Sequence, residues 1–141
     1  MNIQTLKHYF RGEGHMIKRK SEIVPHVHKE LRGGVGEVAM HAFMSEEEAN
    51  GAGRLFARIV IETPGDSIGQ HVHEGELETY YILEGKALVD DNGEEVVLEP
   101  GDAHICVDGN YHSITNVGEG AMEFIAIILH TKQKEVCNDC T

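Results

Sequence analysis

The chain has 141 residues, carries 24 acidic against 12 basic side chains for a formal net charge of −12, and contains three cysteines. That length suits one domain, and the charge repels nucleic-acid phosphates, which argues against a nucleic-acid partner and for a small-molecule one. No run of about 18 apolar residues marks a membrane helix, residues 1–15 lack the apolar stretch of a secretion signal, and the sparse, odd cysteine set is unlike a disulfide scaffold, so the expectation is a cytoplasmic protein with reduced thiols.

Residues 1–15 show no period and read as a leader, with Met16 opening a more ordinary start. Residues 21–36, SEIVPHVHKELRGGVG, are broken by Pro25 and three glycines and read as an extended surface arm able to reach a partner subunit. Residues 37–43 alternate as a strand, and SEEEANGAG is a solvated acidic connection with one helical turn begun by Ser45. RLFARIVIE, 54–62, is a strong strand whose alternation sets Leu55, Ala57, Ile59 and Ile61 on one face and Arg58 on the other. The turn Thr63-Pro64-Gly65-Asp66 ends it.

Residues 65–85, GDSIGQHVHEGELETYYILEG, follow. His71 and His73 are two apart, so on a strand both imidazoles project from one side, roughly 7 Å apart. Gly75 permits a turn, and the β-rich run 78–84 returns antiparallel to bring Glu78 beside them. Strands at 86–90 and 94–98 flank Asp91-Asn92-Gly93, whose Asn-Gly supplies the positive φ angles of a tight hairpin. After the turn Glu99-Pro100-Gly101-Asp102 come strands at 103–107, 111–116 and 121–130, the last apolar on both faces. With no sustained helical period, the pattern indicates an all-β sandwich or barrel.

Gly65, five residues, His71-x-His73, four residues, Glu78, six residues and Gly85 resemble the first motif of the cupin family. A three-residue spacer would put Leu77 in the carboxylate position, so Glu78 is the one that fits. Gly101, five residues, Val107-x-Gly109, two residues, His112, three residues and Asn116 resemble the second motif, with Val107 in place of the usual proline. The resemblance implies a double-stranded β-helix, or jelly roll, with a metal near one mouth. It divides the chain into an N-terminal arm at 1–33, one barrel domain at 34–131 and a tail at 132–141. In such a barrel Glu78, Tyr80 and Ile82 point inward, as do His112, Ile114 and Asn116, while Tyr81 and Leu83 face out. Outward apolar residues beside an apolar final strand suggest the homodimer that small cupins form.

His71, His73, Glu78 and His112 make a nitrogen and oxygen donor set without sulfur. It suits one divalent ion per subunit, manganese first, with iron, nickel or zinc as alternatives. Four protein ligands on an octahedral ion leave two adjacent positions for a bidentate oxyanion, or for substrate plus dioxygen. His26-x-His28 lacks a following Glu and Gly at the family spacing and reads as surface or edge-strand histidines. Cys137-x-x-Cys140 is half a zinc motif with no partner pair. Arg58 faces outward by alternation, yet the resemblance suggests that a basic residue at this place reaches the pocket and forks onto a carboxylate. Tyr80 is the other catalytic candidate. The function expected is a metal-dependent enzyme acting on a small carboxylate or enolate, by oxalate decarboxylase-like or dioxygenase-like chemistry. The alternative is a non-catalytic cupin that binds or senses a small molecule. No Lys/Arg cluster near the motifs marks a phosphate site, which disfavours sugar-phosphate isomerisation.

Overall fold

The computed structural model describes residues 16–132. Residues 1–15, read above as a leader, and the Cys137/Cys140 pair lie outside the described residues. Ten strands follow in order: β1 His26–Lys29, β2 Glu37–Met44, β3 Gly53–Ile61, β4 Ser67–Val72, β5 Glu76–Glu84, β6 Ala87–Asp91, β7 Glu94–Leu98, β8 Ala103–Cys106, β9 Tyr111–Asn116 and β10 Met122–His130. They form two antiparallel sheets, one of six strands in the order β1-β2-β3-β10-β5-β8 and one of four in the order β4-β9-β6-β7. No helix among the described residues is long and apolar enough to cross a membrane.

The alternation read from the sequence becomes the core. Ile59 and Ile61 of β3, Tyr80 and Ile82 of β5 and Phe124 and Ala126 of β10 point in from the larger sheet. Ile68, Val89 and Ile114 meet them from the smaller one. Each fully buried isoleucine contributes about 1.5–3 kcal/mol. Asn116, the last residue of the second motif, is fully buried and its amide serves as a clasp. It donates to the carbonyls of Ile61 and Gly120, both at 2.9 Å, and accepts from Gly118 N–H at 3.1 Å.

The Asn92-Gly93 hairpin forms as expected, with φ of 51° and 99°. Ser45 does open one turn. Its hydroxyl accepts from the Glu48 N–H at 3.0 Å while the Glu48 carboxylate accepts from the Ser45 N–H at 2.9 Å, a reciprocal cap.

The N-terminal boundary differs from the expectation. His26 to Lys29 pair in register with Met40 to Glu37, so the larger sheet begins within the stretch read as an arm. A short turn, Leu31–Gly33, then packs on β4. The contact is backbone on backbone: a Cβ on Gly69 would collide with the carbonyl of Arg32, and one on Gly34 with the carbonyl of Ser67. Glycines broke the helical reading correctly, but here they permit close packing rather than a free excursion.

Candidate metal centre

β4 and β9 lie side by side with His71 opposite His112. His73 stands just past the end of β4, its backbone held by hydrogen bonds from Gly109 N–H at 2.7 Å and to the Asn110 carbonyl at 3.0 Å. The chain turns through Gly75, at φ 72°, and β5 brings Glu78 in from the facing sheet. His73, Glu78 and His112 are buried, the last completely.

The ring nitrogens farther from the centre are anchored. His71 Nδ1 lies 2.7 Å from the Gly69 carbonyl, which can only accept, so that nitrogen carries the proton. His73 Nδ1 lies 2.8 Å from the Glu76 carboxylate, and His112 Nδ1 lies 3.0 Å from His104 Nε2. These partners turn the Nε2 lone pairs of all three rings towards one point when His112 is the donor to His104. There His112 Nε2 stands 3.0 Å from His71 Nε2, 3.0 Å from His73 Nε2 and 3.0 Å from Glu78 Oε1. Glu78 Oε1 is 3.2 Å from His73 Nε2 and 3.7 Å from His71 Nε2.

A proton between two of these atoms relieves only that pair. A cation at the shared point satisfies all four, and ligand bonds of about 2.1 Å at right angles would separate donor atoms by about 3.0 Å, the spacing His112 Nε2 keeps from the other three. The four residues can therefore hold a metal ion. Where protons rather than a cation fill the shared point, burial alone would raise the Glu78 carboxyl, but hydrogen bonds from His112, His71 and His73 outweigh it and hold the group well below its ordinary value. Burial lowers His112 and opposes protonation of His73, yet the Glu78 and Glu76 carboxylates win at His73 and raise it.

Three further residues complete the surroundings. His104 faces inward from β8, buried against His112. Its strand alternation was readable, since residues 103–107 were expected to be extended. Glu76 shares the parity of Glu78 and was likewise available to that reasoning. Arg54 was not: β10 pairs Ile128 with Leu55 and Leu129 with Gly53, and the bulge skips Arg54. Its Nε and Nη2 donate to the two Glu76 oxygens at 2.6 and 2.7 Å. That fork brings the Glu76 carboxyl down to about 2.

A cavity of about 200 Å³ opens above His71, His73 and Glu78. Its remaining polar lining is His28, Arg32, Arg54 and Tyr80, and its walls are aliphatic, among them Leu31, Met40, Leu55, Ile59 and Ile68. Tyr80 lies flat against His112, ring planes 8° apart, with its hydroxyl 3.5 Å from His112 Nε2. Burial pushes that hydroxyl well above its ordinary value. Cys106, inward on β8 opposite Glu78, is buried and its thiol is pushed up to about 11, so it stays protonated beside the site.

Arg58 is not in this cavity. Strand alternation prevails: it sits on the outer face of β3, opposite Ile125, and pairs with Glu123 at 3.0 Å. His26 is exposed on the edge strand, as expected, but His28 lines the cavity.

The cupin domain model matches residues 58–128. An oxalate-binding protein of Thermotoga maritima is 45% identical over 114 residues, spanning 81% of this chain and 93% of that one. Among solved structures, a predicted oxalate decarboxylase of Thermotoga maritima superposes with a TM-score of 0.79 at 44% identity, covering 82% of this chain and 99% of the other. The polyketide cyclase RemF of Streptomyces resistomycificus, with TM-score 0.60 at 19% identity over 85% of this chain and 89% of its own, shares the fold. With both motifs on neighbouring strands of one jelly roll, a family model over half its length and extensive identity to a relative, the protein belongs to the cupin family.

Proposed function

We propose that the protein binds one divalent cation per subunit, manganese first, through His71, His73, Glu78 and His112, and that a small dicarboxylate of the oxalate class docks on that ion. The observation that carries this reading is the match between donor set and cavity. Lone pairs from three fixed imidazoles and one carboxylate converge beneath a space of about 200 Å³, well under the roughly 300 Å³ at which drug-sized pockets begin. Among the described residues, Glu78 is the only carboxylate in the lining, and the other charged lining residues, Arg32 and Arg54, are cationic. The names of the two Thermotoga relatives favour oxalate over other small dianions. Nitrogen and oxygen donors without sulfur suit a hard or borderline divalent ion such as manganese, iron, nickel or zinc and disfavour a soft one.

When bound, the cation supplies Lewis-acid polarisation of a carboxylate oxygen. The chain's own groups do the rest. Glu78, held deprotonated, offsets the ion's charge. Tyr80, held protonated, donates to an anion but does not serve as a base. Arg32 has no ion-pair partner among the described residues and is available to a carboxylate at the mouth. The aliphatic walls exclude water and so strengthen each of these contacts.

Turnover is the second reading. Cleaving oxalate to formate breaks the C–C bond, releases carbon dioxide and adds one proton to the remaining carbon. His28 lines the cavity and is a group able to deliver that proton. Calorimetry on manganese-loaded protein with oxalate, acetate and no metal tests binding, and formate and carbon dioxide measured with and without air test turnover. Metal-dependent binding of oxalate but not acetate is expected. Equal binding without metal would refute the assignment.

The same reading includes a homodimer through the outer face of the six-stranded sheet, where Tyr81 and Ile105 are 48% and 57% exposed. A face of this kind is a surface that association would cover. Sedimentation showing only monomer at micromolar concentration would contradict it.

A further inference from the structure

We propose that Arg54 is a positioning residue of the metal centre, acting through Glu76 on His73, and that this pair sets how tightly the site holds its cation. The inference rests on the reading that a cation binds at His71, His73, Glu78 and His112. Three links in series carry it. Arg54 forks onto both oxygens of Glu76 at 2.6 and 2.7 Å, and one of those oxygens lies 2.8 Å from His73 Nδ1. His73 Nε2 in turn lies within 3.2 Å of Glu78 Oε1 and 3.0 Å of His112 Nε2. The Glu76 side chain is 12% exposed and that of His73 is 1% exposed, so the contact between them is largely shielded from water.

The backbone is shaped for this contact. The bulge between β3 and β10 frees Arg54 from the regular alternation that sends Arg58 to the outer face. With Arg54 in place, Glu76 has both oxygens occupied by the fork, and one of them also orients the His73 ring. Without it, Glu76 is free to rotate away from Nδ1, and His73 loses both its fixed tautomer and its ring orientation.

Positioning and simple charge predict opposite results. Arg54 is a positive charge near a bound cation, so if it acted only through its charge, removing it would tighten metal binding. If it positions His73, removing it loosens binding by about ten- to a hundredfold.

The test is the affinity of the full chain for Mn²⁺ and Co²⁺, by chelator competition, for the parent, Arg54→Gln and Arg54→Lys. The Co²⁺ electronic spectrum reports the coordination directly, and apo melting curves report folding. We expect Arg54→Gln to loosen both ions at least about tenfold and to shift the Co²⁺ spectrum. Arg54→Lys should restore only part of the affinity, because an ammonium holds Glu76 at one point rather than two. Unchanged or tighter binding in Arg54→Gln, or full restoration by Arg54→Lys, would overturn the proposal. If Arg54→Gln fails to fold, Arg54→Lys against the parent decides, parent-like affinity and spectrum counting against positioning. Absence of metal binding by the parent would instead overturn the underlying site assignment.

Discussion

Acidification should remove the cation before it unfolds the protein. With metal held at 100 times its dissociation constant, binding stabilises the native state by about 2.7 kcal/mol, which raises the melting temperature of a chain this size by about 10 °C. At pH 5.0 an imidazole with an ordinary value near 6.5 costs about 30-fold in metal affinity for each proton that competes. The structure limits how many compete. His112 Nε2 is 3.0 Å from both other Nε2 atoms, so three imidazolium protons do not fit there, while Glu78 offsets one.

One to two protons per ion then lower affinity by about 30- to 1,000-fold, and the metal-dependent shift falls to about 3 °C or less. The sign follows from His73. Burial opposes its protonation, but Glu78 and Glu76 raise it. Its proton therefore stabilises the metal-free fold fully below the unfolded value, an effect lost as pH rises through the raised folded value, where metal takes over. Thermal melts with and without chelator at pH 7.5 and 5.0 test this, together with proton uptake on chelation. An equal shift at both pH values would refute three-histidine ligation, and no shift at either would refute metal binding.

Three other outcomes follow from the same geometry. His112→Ala should abolish stoichiometric metal while His26→Ala, exposed on the edge strand, should leave it unchanged; elemental analysis of both variants checks this, and equal loss would contradict the ligand assignment. Gly69→Ala should lower stability by about 1–3 kcal/mol in chemical denaturation, because its methyl meets the Arg32 carbonyl, and should weaken metal binding through the His71 anchor. Tyr80→Phe should keep the ring stack on His112 and the fold but loosen oxalate about fivefold or more by calorimetry, the loss of one hydrogen bond worth about 1 kcal/mol. Unaltered affinity would remove the hydroxyl from the ligand's contacts.

The metal ligands were legible because their constraint is local. Two residues apart on one strand fixes a shared face for His71 and His73, and a glycine turn returns Glu78 to them. Tyr80, Ile82, Ile114 and Asn116 obeyed the same period and are all buried. Alternation alone also placed Arg58 outside, where its bond to Glu123 is found, against the expectation drawn from resemblance.

What escaped the sequence depends on contacts between distant segments. Arg54 reaches the site through a bulge that only the pairing with β10 reveals, and His28 reaches it because β1 adds to the sheet rather than wandering over the surface. His104 is a different case. Its inward parity was available, but its role depends on meeting His112 across eight residues of chain.

Anomalous diffraction from crystals grown with manganese addresses the central claim most directly. The account predicts one peak per subunit, within about 2.0–2.3 Å of the Nε2 atoms of His71, His73 and His112 and of a Glu78 oxygen. A peak at His26 and His28, or none in manganese-soaked crystals at neutral pH, would contradict it.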